Sequence, residues 1–370
     1  MNKCDHSNSI VNLANSILAR FDVEPFHSTN KKVDELIKNK KKIVVLLFDG
    51  LGKYLIDTHL NETSNLKNHI IGEMTSTFPP TTVAATNGFL SGRFPSETGW
   101  MAWSQYFSSI NQNVNVFPNV DSQTQESIGE ENIMRKVGDY KSIVDLINEK
   151  HGKQIAFDIK QHPIDDRGPK TLRQFFKKAK AAANSSEETF TYSYWTKPDG
   201  IIHKRGVKSK RVNRYIKRID RMVGKFVKKN ENLTVLVIAD HGLIDVEYLH
   251  MHDHIDLLSL ESRPLSFEKR AANFYVEKKY QPLFKKLFNQ YYGEYFELYT
   301  KEEVIENEIF GPNPMSPLAE SFLGDFLAVA ISNKSLSDYY EDHYLKGHHG
   351  GSTLEEFQIY INYFGGSDEI

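Results

Sequence analysis

Six side chains with metal-ligating atoms lie far apart in this 370-residue chain, each beside the end of an apolar run or beside a glycine. They are Asp49 in VVLLFDGLG, Asp199 and His203 in KPDGIIH, Asp240 and His241 in LTVLVIADHG, and His349 in GHHGG. Three carboxylates and three imidazoles suit two divalent cations. A threonine-rich turn, FPPTT at residues 78–82, adds hydroxyl groups that can act as nucleophiles. This combination points to phosphoryl or sulfuryl transfer.

The two threonines of that turn fall at a predicted helix start, because Pro79 and Pro80 cannot continue a helix and VAATNGFL follows. Capping the helix is an ordinary role for threonine, but the same position offers free N–H groups and a positive dipole to a phosphate. A bound cation can lower the pKa of an oxygen acid from ~15.7 to ~7, as it does for water. We therefore regard these hydroxyls, Thr82 foremost, as candidate nucleophiles.

Other histidines compete for these roles. His348 directly precedes His349 and is an alternative ligand. The segment HMHDHID carries His250, His252 and His254, which would share one face if the segment were a strand. A polar loop is the favoured interpretation of that segment, since no apolar run leads into it.

The ligands need a scaffold that brings strand ends together. Residues 43–48 are continuously apolar, as in a strand covered on both faces. Similar runs occur at four other places: 154–157, 190–194, 233–239 and 326–331. Helical patterns lie between several of them, which predicts an α/β fold, a three-layer sandwich with a mostly parallel central sheet covered by helices. Ligands bind such sheets beyond the carboxyl ends of the strands, where Asp49 and Asp240 fall.

Residues 263–311 have a different pattern of strand, helix and strand. We predict that they form a small α+β cap inserted into a catalytic domain made of residues 1–262 and 312–370. The polar stretch 105–132 is expected to be a long loop near the site.

Bulk composition excludes several classes of protein. The net charge of −2 provides no overall field for nucleic acid or membranes, and no run approaches the ~18 apolar residues of a spanning helix. The start of the chain lacks the pattern of a secretion signal, and the single Cys4 cannot form an intrachain disulfide. We expect a cytoplasmic protein that does not bind membranes.

The order FDG, threonine at a helix start, DxxxH, ADHG and HGG resembles the alkaline phosphatase superfamily, and in particular its nucleotide pyrophosphatase/phosphodiesterase branch. The similarity extends from about residue 41 to residue 356. It implies that Thr82, rather than Thr81 or Thr77, is the nucleophile. It also implies two cation sites, one with Asp199, His203 and His349, and the other with Asp49, Asp240, His241 and the Thr82 oxygen.

The resemblance implies a two-metal hydrolase that cleaves phosphodiester or pyrophosphate bonds through a phosphothreonine on Thr82. Three histidines favour zinc, and manganese is compatible with the same ligands. An asparagine that the family places three residues after the nucleophile is replaced here by Ala85, with Asn87 two residues further on. Asn87 is therefore a candidate phosphate contact, and Trp100 and Trp103 are candidates for stacking on a nucleobase.

Alternatives remain open at this stage. A phosphomonoesterase, a phosphonate hydrolase or a metal-dependent mutase could use the same ligands, and Arg93 and Arg167 are candidate extra cations for a monoester. A sulfatase is disfavoured, because that branch uses a modified cysteine or serine. Outside enzymes, the basic residues 204–229 could bind nucleic acid, although a solvated helix face is the favoured interpretation. The expected partner is a small anionic phosphoester.

Overall fold

The computed structural model describes residues 1–338 and 344–365. Within these ranges it contains seventeen strands, numbered here in chain order. They are β1 Lys42–Phe48, β2 Ile70–Thr75, β3 Ser104–Phe107, β4 Gln112–Asn115, β5 Val120–Asp121, β6 Ala156–Lys160, β7 Thr189–Trp195, β8 Thr234–Ile238, β9 Ile244–Asp245, β10 Glu247–His250, β11 Ser266–Glu268, β12 Ala271–Phe274, β13 Phe296–Thr300, β14 Phe326–Ala330, β15 Lys334–Ser337, β16 Gly347–His348 and β17 Gln358–Phe364.

The same residues form sixteen α-helices and one short 3-10 helix at Met251–Asp253. The α-helices are α1 Ile10–Arg20, α2 Lys31–Ile37, α3 Lys53–His59, α4 Asn65–Asn68, α5 Thr82–Ser91, α6 Pro95–Thr98, α7 Ile133–Val137, α8 Ile143–His151, α9 Leu172–Ala183, α10 Asp199–Arg205, α11 Lys210–Lys228, α12 Ile255–Leu258, α13 Gln281–Tyr292, α14 Lys301–Glu306, α15 Pro317–Phe322 and α16 Leu354–Phe357.

A six-stranded sheet in the order β2-β17-β8-β1-β7-β6 forms the centre of the fold. Strand β1 pairs in parallel with β7 and β8, and β6 pairs in parallel with β7. Only β17 runs against its neighbours β2 and β8. Five strands therefore end at the same edge, which confirms the mostly parallel sheet.

Helices cover both faces of this sheet. On one face, Phe89 of α5 stacks on Tyr192 of β7 at 5.2 Å between ring centroids. On the other, Phe175 of α9 packs against Phe48 at 5.7 Å and Trp195 at 5.5 Å. The apolar run of β1 is fully buried because helices lie on both sides of it. This is the predicted three-layer α/β arrangement.

Helix α11 illustrates how the sequence places one face inside. Ser209 caps its start by accepting a hydrogen bond from the Val212 N–H. Val212, Ile216 and Ile219 recur at helical spacing and are buried, whereas Arg214 and Lys217 between them are exposed.

A second, antiparallel sheet has seven strands in the order β13-β14-β12-β11-β3-β4-β5. Strands β11 to β13 and helix α13 come from the predicted cap, but β14 and β3 to β5 do not. The prediction that residues 326–331 belong to the central sheet is wrong, since β14 pairs with β12 and β13. The predicted long loop at 105–132 contains β4, β5 and most of β3, whose sequences SQYF and QNVN carry too few apolar residues to be recognised as strands.

No helix among the described residues is long and apolar enough to cross a membrane.

Candidate active site

Three of the predicted carboxylates lie at the carboxyl edge of the central sheet. The Asp49 N–H donates to the Trp195 carbonyl at 2.9 Å, and the Asp199 N–H donates to the Asp49 carbonyl at 3.0 Å. The Gly50 N–H donates to Asp240 Oδ1 at 3.0 Å. Asp49 thus follows β1, Asp240 follows β8 and Asp199 follows β7, and hydrogen bonds donated by backbone N–H groups hold the three turns together.

Gly50 and Gly52 permit this close approach. A Cβ on Gly52 would lie 2.5 Å from the Gly242 Cα, and Gly50 has a φ of +72°, which favours glycine. The turns after β1 and β8 can touch because glycines, Gly52 and Gly242, occupy the point of contact.

The buried carboxylates present oxygens without donors. Asp49 Oδ1 and Asp240 Oδ2 each lie 3.6 Å from His241 Nε2. Asp49 is only 4% exposed and Asp240 is fully buried, so water does not reach these oxygens freely. Even so, neither oxygen accepts a hydrogen bond from any residue in the described part of the chain. A buried carboxylate oxygen without a partner is costly, so a cation at this point would stabilise the arrangement.

The three predicted histidine ligands share one orientation. Each directs Nδ1 at a backbone carbonyl: His241 at Gly242 O (3.0 Å), His203 at Gly347 O (2.8 Å) and His349 at Pro80 O (3.1 Å). A carbonyl can only accept, so each Nδ1 carries a proton and Nε2 is the ring nitrogen left to bind a cation. This tautomer is the one in which metal-ligating histidines are typically held.

These atoms form two groups that could each hold a cation. Ligand atoms of Asp49, Asp240 and His241 lie within 4.8 Å of one another, as do those of Asp199, His241 and His349. His241 is common to both, because its ring lies beside that of His349 with centroids 3.9 Å apart. Carboxylate and imidazole together fit zinc or manganese.

His203 lies beside the second group rather than within it. Its Nε2 is 3.1 Å from Asp199 Oδ1, and its ring centroid is 5.3 Å from that of His349. The grouping therefore differs from the one implied by the resemblance, in which His203 completes the second site. His348 belongs to neither group, and its Nδ1 accepts from the His349 N–H at 2.9 Å.

The electrostatics of the cluster also favour a cation. Burial raises the pKa of Asp240 to about 7, and the nearby Asp199 carboxylate acts in the same direction. Burial, followed by Asp240 and Asp199, raises the pKa of Asp49 well above its usual value. Burial opposes the charge of His203, but Asp199 outweighs it and raises the pKa of His203 to about 9. Like charges crowded in a dry site can be ionised together when a divalent ion lies between them.

Thr82 is the first residue of α5, and its Oγ1 lies 3.2 Å from His241 Nε2. The neighbouring Thr81 is buried and its hydroxyl donates to Glu268 Oε1 at 2.8 Å. Thr82 also contributes to the wall of a cavity of about 1510 Å³, together with Asp49 and Asp199. Of the two candidate hydroxyls, that of Thr82 lies beside the two groups of ligand atoms (the ligand cluster), and its residue lines the cavity.

The predicted substrate contacts line the same cavity. Both ends of the Asn87 amide are engaged, since Nδ2 donates to Val83 O at 2.8 Å and Oδ1 accepts from Tyr140. Trp100 is almost buried, and its Nε1 donates to Gly138 O at 2.8 Å. Trp103 is 40% exposed and is the more accessible ring.

Two groups of candidates lie elsewhere. Arg93 and Arg167 are not among the residues that line the cavity, and Arg93 packs over the Phe26 ring at 3.8 Å. His250 ends β10, whereas His254 stacks on the Tyr291 ring at 3.7 Å. The three histidines of HMHDHID therefore do not share a strand face.

Sequence reasoning missed two supporting groups. The Tyr194 hydroxyl donates to Asp49 Oδ2, so it orients a predicted ligand. Glu268 accepts from Thr81 and from the Trp103 N–H at 2.8 Å, and burial raises its pKa to about 7. For Tyr194 the available signal was its place near the end of a buried strand, next to a predicted ligand turn, and no local signal marks Glu268.

Known proteins share this fold. An inactive threonine-to-alanine variant of murine ectonucleotide pyrophosphatase/phosphodiesterase 5, in complex with AMP, superposes with a TM-score of 0.65 at 16% identity over 88% of each chain. The human form of that protein gives 0.64 at 16% identity over 88% of each chain. Phosphonoacetate hydrolase from Sinorhizobium meliloti 1021, in complex with phosphonoformate, gives 0.64 at 14% identity over 90% of this chain and 91% of the hydrolase.

No curated protein matches at the level of sequence. Residues 43–352, however, match the family profile of type I phosphodiesterases and nucleotide pyrophosphatases. That match spans the ligands from Asp49 to His349 and most of the chain. The protein therefore belongs to the type I phosphodiesterase/nucleotide pyrophosphatase family.

Proposed function

We propose that this phosphoester hydrolase is a two-metal phosphodiesterase that acts on nucleotide-type diesters or pyrophosphates through a phosphothreonine on Thr82. The observation that carries the proposal is the 3.2 Å distance between Thr82 Oγ1 and His241 Nε2, the histidine common to both ligand groups. A hydroxyl thereby lies beside the ligand that the two groups share.

Asp49, Asp240 and His241 would hold one cation, and Asp199, His203 and His349, next to His241, would hold the other. When bound, the cations would lower the pKa of the threonine hydroxyl and offset the charge of the phosphate. Zinc is the favoured ion because the three imidazoles direct Nε2 inward.

The protein's own residues then perform two displacements. Thr82 Oγ1 attacks phosphorus in line and forms a P–O bond while the bond to the leaving oxygen breaks, and the proton of the hydroxyl passes to that leaving oxygen. The first-turn N–H groups of α5 have no intrahelical acceptor and can donate to the phosphoryl oxygens. They would take the place of the family's asparagine, because the methyl side chain of Ala85 has no hydrogen-bond donor. Water then attacks phosphorus, breaks the bond to Oγ1 and returns a proton to the threonine.

Two comparisons support parts of this proposal. The murine relative is inactive with a threonine-to-alanine replacement and binds AMP. The bacterial relative is a phosphonate hydrolase, so phosphonate cleavage is the second candidate activity. The extra cations that the sequence suggested for a monoester, Arg93 and Arg167, do not line the cavity.

A substrate panel with elemental analysis tests the proposal. Purified protein should contain zinc or manganese. It should cleave thymidine 5′-(p-nitrophenyl) phosphate and bis(p-nitrophenyl) phosphate faster than p-nitrophenyl phosphate or phosphonoacetate. Preference for the monoester would overturn the diesterase assignment, and preference for phosphonoacetate would establish the second candidate. Equal efficiency on the two diesters would count against nucleobase stacking on Trp103.

A further inference from the structure

The cavity that holds Thr82 extends well beyond the ligand cluster, along α10 and α11. Five basic residues line this extension, which we call the cationic wall: Lys197, Lys204, Arg205, Arg211 and Arg218. None of them forms an ion pair or a side-chain hydrogen bond with a residue in the ranges 1–338 and 344–365. Lys160, also in the cavity, differs in that it pairs with Asp158 at 2.8 Å. The cationic wall therefore carries unpaired positive charge in a concave surface, which Asp139 and Asp145 also line.

The wall is continuous with the candidate metal centre. Helix α10 begins at the ligand Asp199, and Lys204 follows it by five residues, or about 7.5 Å along the helix axis. On α11, Arg211, Tyr215 and Arg218 recur at helical spacing and all line the cavity. From Arg211 to Arg218 the axis advances by about 10 Å, roughly the axial length of three phosphates in a stacked strand at ~3.4 Å each.

Helix α11 also carries basic residues that lie outside the cavity and can be compared with Arg211 and Arg218. Lys217 and Arg221 lie on α11 but do not line the cavity, and the Arg221 side chain bonds back to the Lys217 carbonyl at 3.3 Å. These two are ordinary solvated cations. Arg211 and Arg218 differ from them by facing the concave side, where fields from several charges add and attract anions.

We propose that the cationic wall is a subsite for a second phosphate group of the substrate, one that is bound but not cleaved. The proposal rests on the proposed function, because it places this phosphate beyond the scissile one at Thr82. Arginine forks suit phosphate oxygens, and Tyr215 lies between the two arginines on the same face. The substrate class is accordingly a phosphodiester that carries at least one additional phosphate.

Calorimetric titration of the zinc-loaded full chain provides the test, with thymidine 5′-monophosphate and thymidine 3′,5′-bisphosphate as the two ligands. The bisphosphate should bind at least about tenfold more tightly. In Arg211→Gln/Arg218→Gln this advantage should fall below about threefold. In the matched control Lys217→Gln/Arg221→Gln, which makes the same change in charge on the outer face, the advantage should persist.

Equal affinity for the two ligands in the parent protein would overturn the proposal. An equal loss in both double variants would also overturn it, because the effect would then be one of net charge. Turnover of bis(p-nitrophenyl) phosphate, measured separately, distinguishes the two proposals. Preference for the bisphosphate without turnover would refute the hydrolase mechanism alone, and turnover without preference would refute the subsite alone.

Two sources of a second phosphate can be separated with the same proteins. Inorganic tripolyphosphate, added with excess zinc, represents a free phosphate chain, and a thymidine trinucleotide represents a single-stranded backbone. If the trinucleotide displaces thymidine 3′,5′-bisphosphate more strongly than tripolyphosphate does, and this advantage is lost in Arg211→Gln/Arg218→Gln, the subsite binds a single-stranded backbone. If tripolyphosphate displaces the bisphosphate more strongly, the subsite binds free phosphate chains. If neither compound displaces the bisphosphate, the subsite proposal is rejected.

Discussion

Arg270 and Glu356 form a fully buried, two-point ion pair behind the ligand loops. The Arg270 Nε and Nη2 atoms donate to the two Glu356 carboxylate oxygens at 2.7 and 2.8 Å, and neither side chain is exposed. Glu356 also accepts from the Gly351 N–H through its side chain, and from the Gly242 N–H through its carbonyl, both at 2.9 Å. One residue therefore anchors both the turn after His349 and the turn after His241 to the second sheet.

Replacing Glu356 with glutamine should weaken both fold and site. A buried arginine left without its carboxylate typically costs ~3–5 kcal/mol, and the turn behind His349 loses its anchor. Urea denaturation should show this loss, and zinc content should fall. Glu355→Gln, at the exposed neighbouring position, is the control and should change neither. Full stability in the Glu356 variant would mean that the pair does not hold the loop.

Removing the Thr82 hydroxyl should abolish turnover without removing metal. Because the proposed P–O bond forms at this oxygen, Thr82→Ala should reduce turnover by at least ~10³-fold, with metal content unchanged. Thr82→Ser keeps a nucleophile and should retain measurable activity, with a phosphoserine detectable by mass spectrometry after acid quenching.

Thr81→Ala is the matched control for that series. It removes the adjacent hydroxyl, which donates to Glu268, and should lower stability by ~1–3 kcal/mol while turnover persists. Thr82→Ala with near-normal activity, or loss of turnover only in Thr81→Ala, would move the nucleophile away from Thr82.

The hydrogen bond from Tyr194 to Asp49 yields a third prediction. Loss of a partner that orients a metal ligand typically reduces metal affinity or activity by ~10–100-fold. Tyr194→Phe should show this effect in zinc competition assays. Tyr192→Phe alters the same strand face without touching a predicted ligand and should bind zinc normally. Equal affinities in the two variants would remove Tyr194 from the site.

Local sequence patterns were sufficient for strands β1, β6, β7 and β8 of the central sheet, but not for β2 and β17, and they marked most of the candidate ligands. A buried parallel strand has an unbroken apolar run, so β1 and β8 could be recognised, and Asp49 and Asp240 at their ends followed. Thr82 could be placed at a helix start because two prolines precede it.

The second sheet depended on information that is not local. Its strands β3 and β11 lie more than 150 residues apart along the chain and are joined at Phe267 and Ser104. Short polar strands gain their stability from such distant partners rather than from their own residues. For the same reason, the sharing of His241 between two ligand groups and the Arg270–Glu356 pair could not be anticipated.

Zinc should stabilise the protein more at about pH 8 than at about pH 5.5. Burial, followed by neighbouring carboxylates, raises the folded-state pKa of Asp49, and burial raises that of Asp240 to about 7. Without metal, the folded state holds protons that the unfolded chain has released, so stability falls as the pH rises from the ordinary carboxyl pKa of ~3.9 towards 7. Zinc needs the deprotonated ligands, and therefore binds better and restores more stability at the higher pH.

Thermal unfolding with zinc or with chelator, at both pH values, measures this difference. Asp240→Asn removes one of the two titrating carboxylates. It should reduce the loss of metal-free stability at the higher pH and shrink the zinc-induced rise in Tm. A zinc effect that is equal at the two pH values, or undiminished in Asp240→Asn, would show that the cation is not held by these carboxylates.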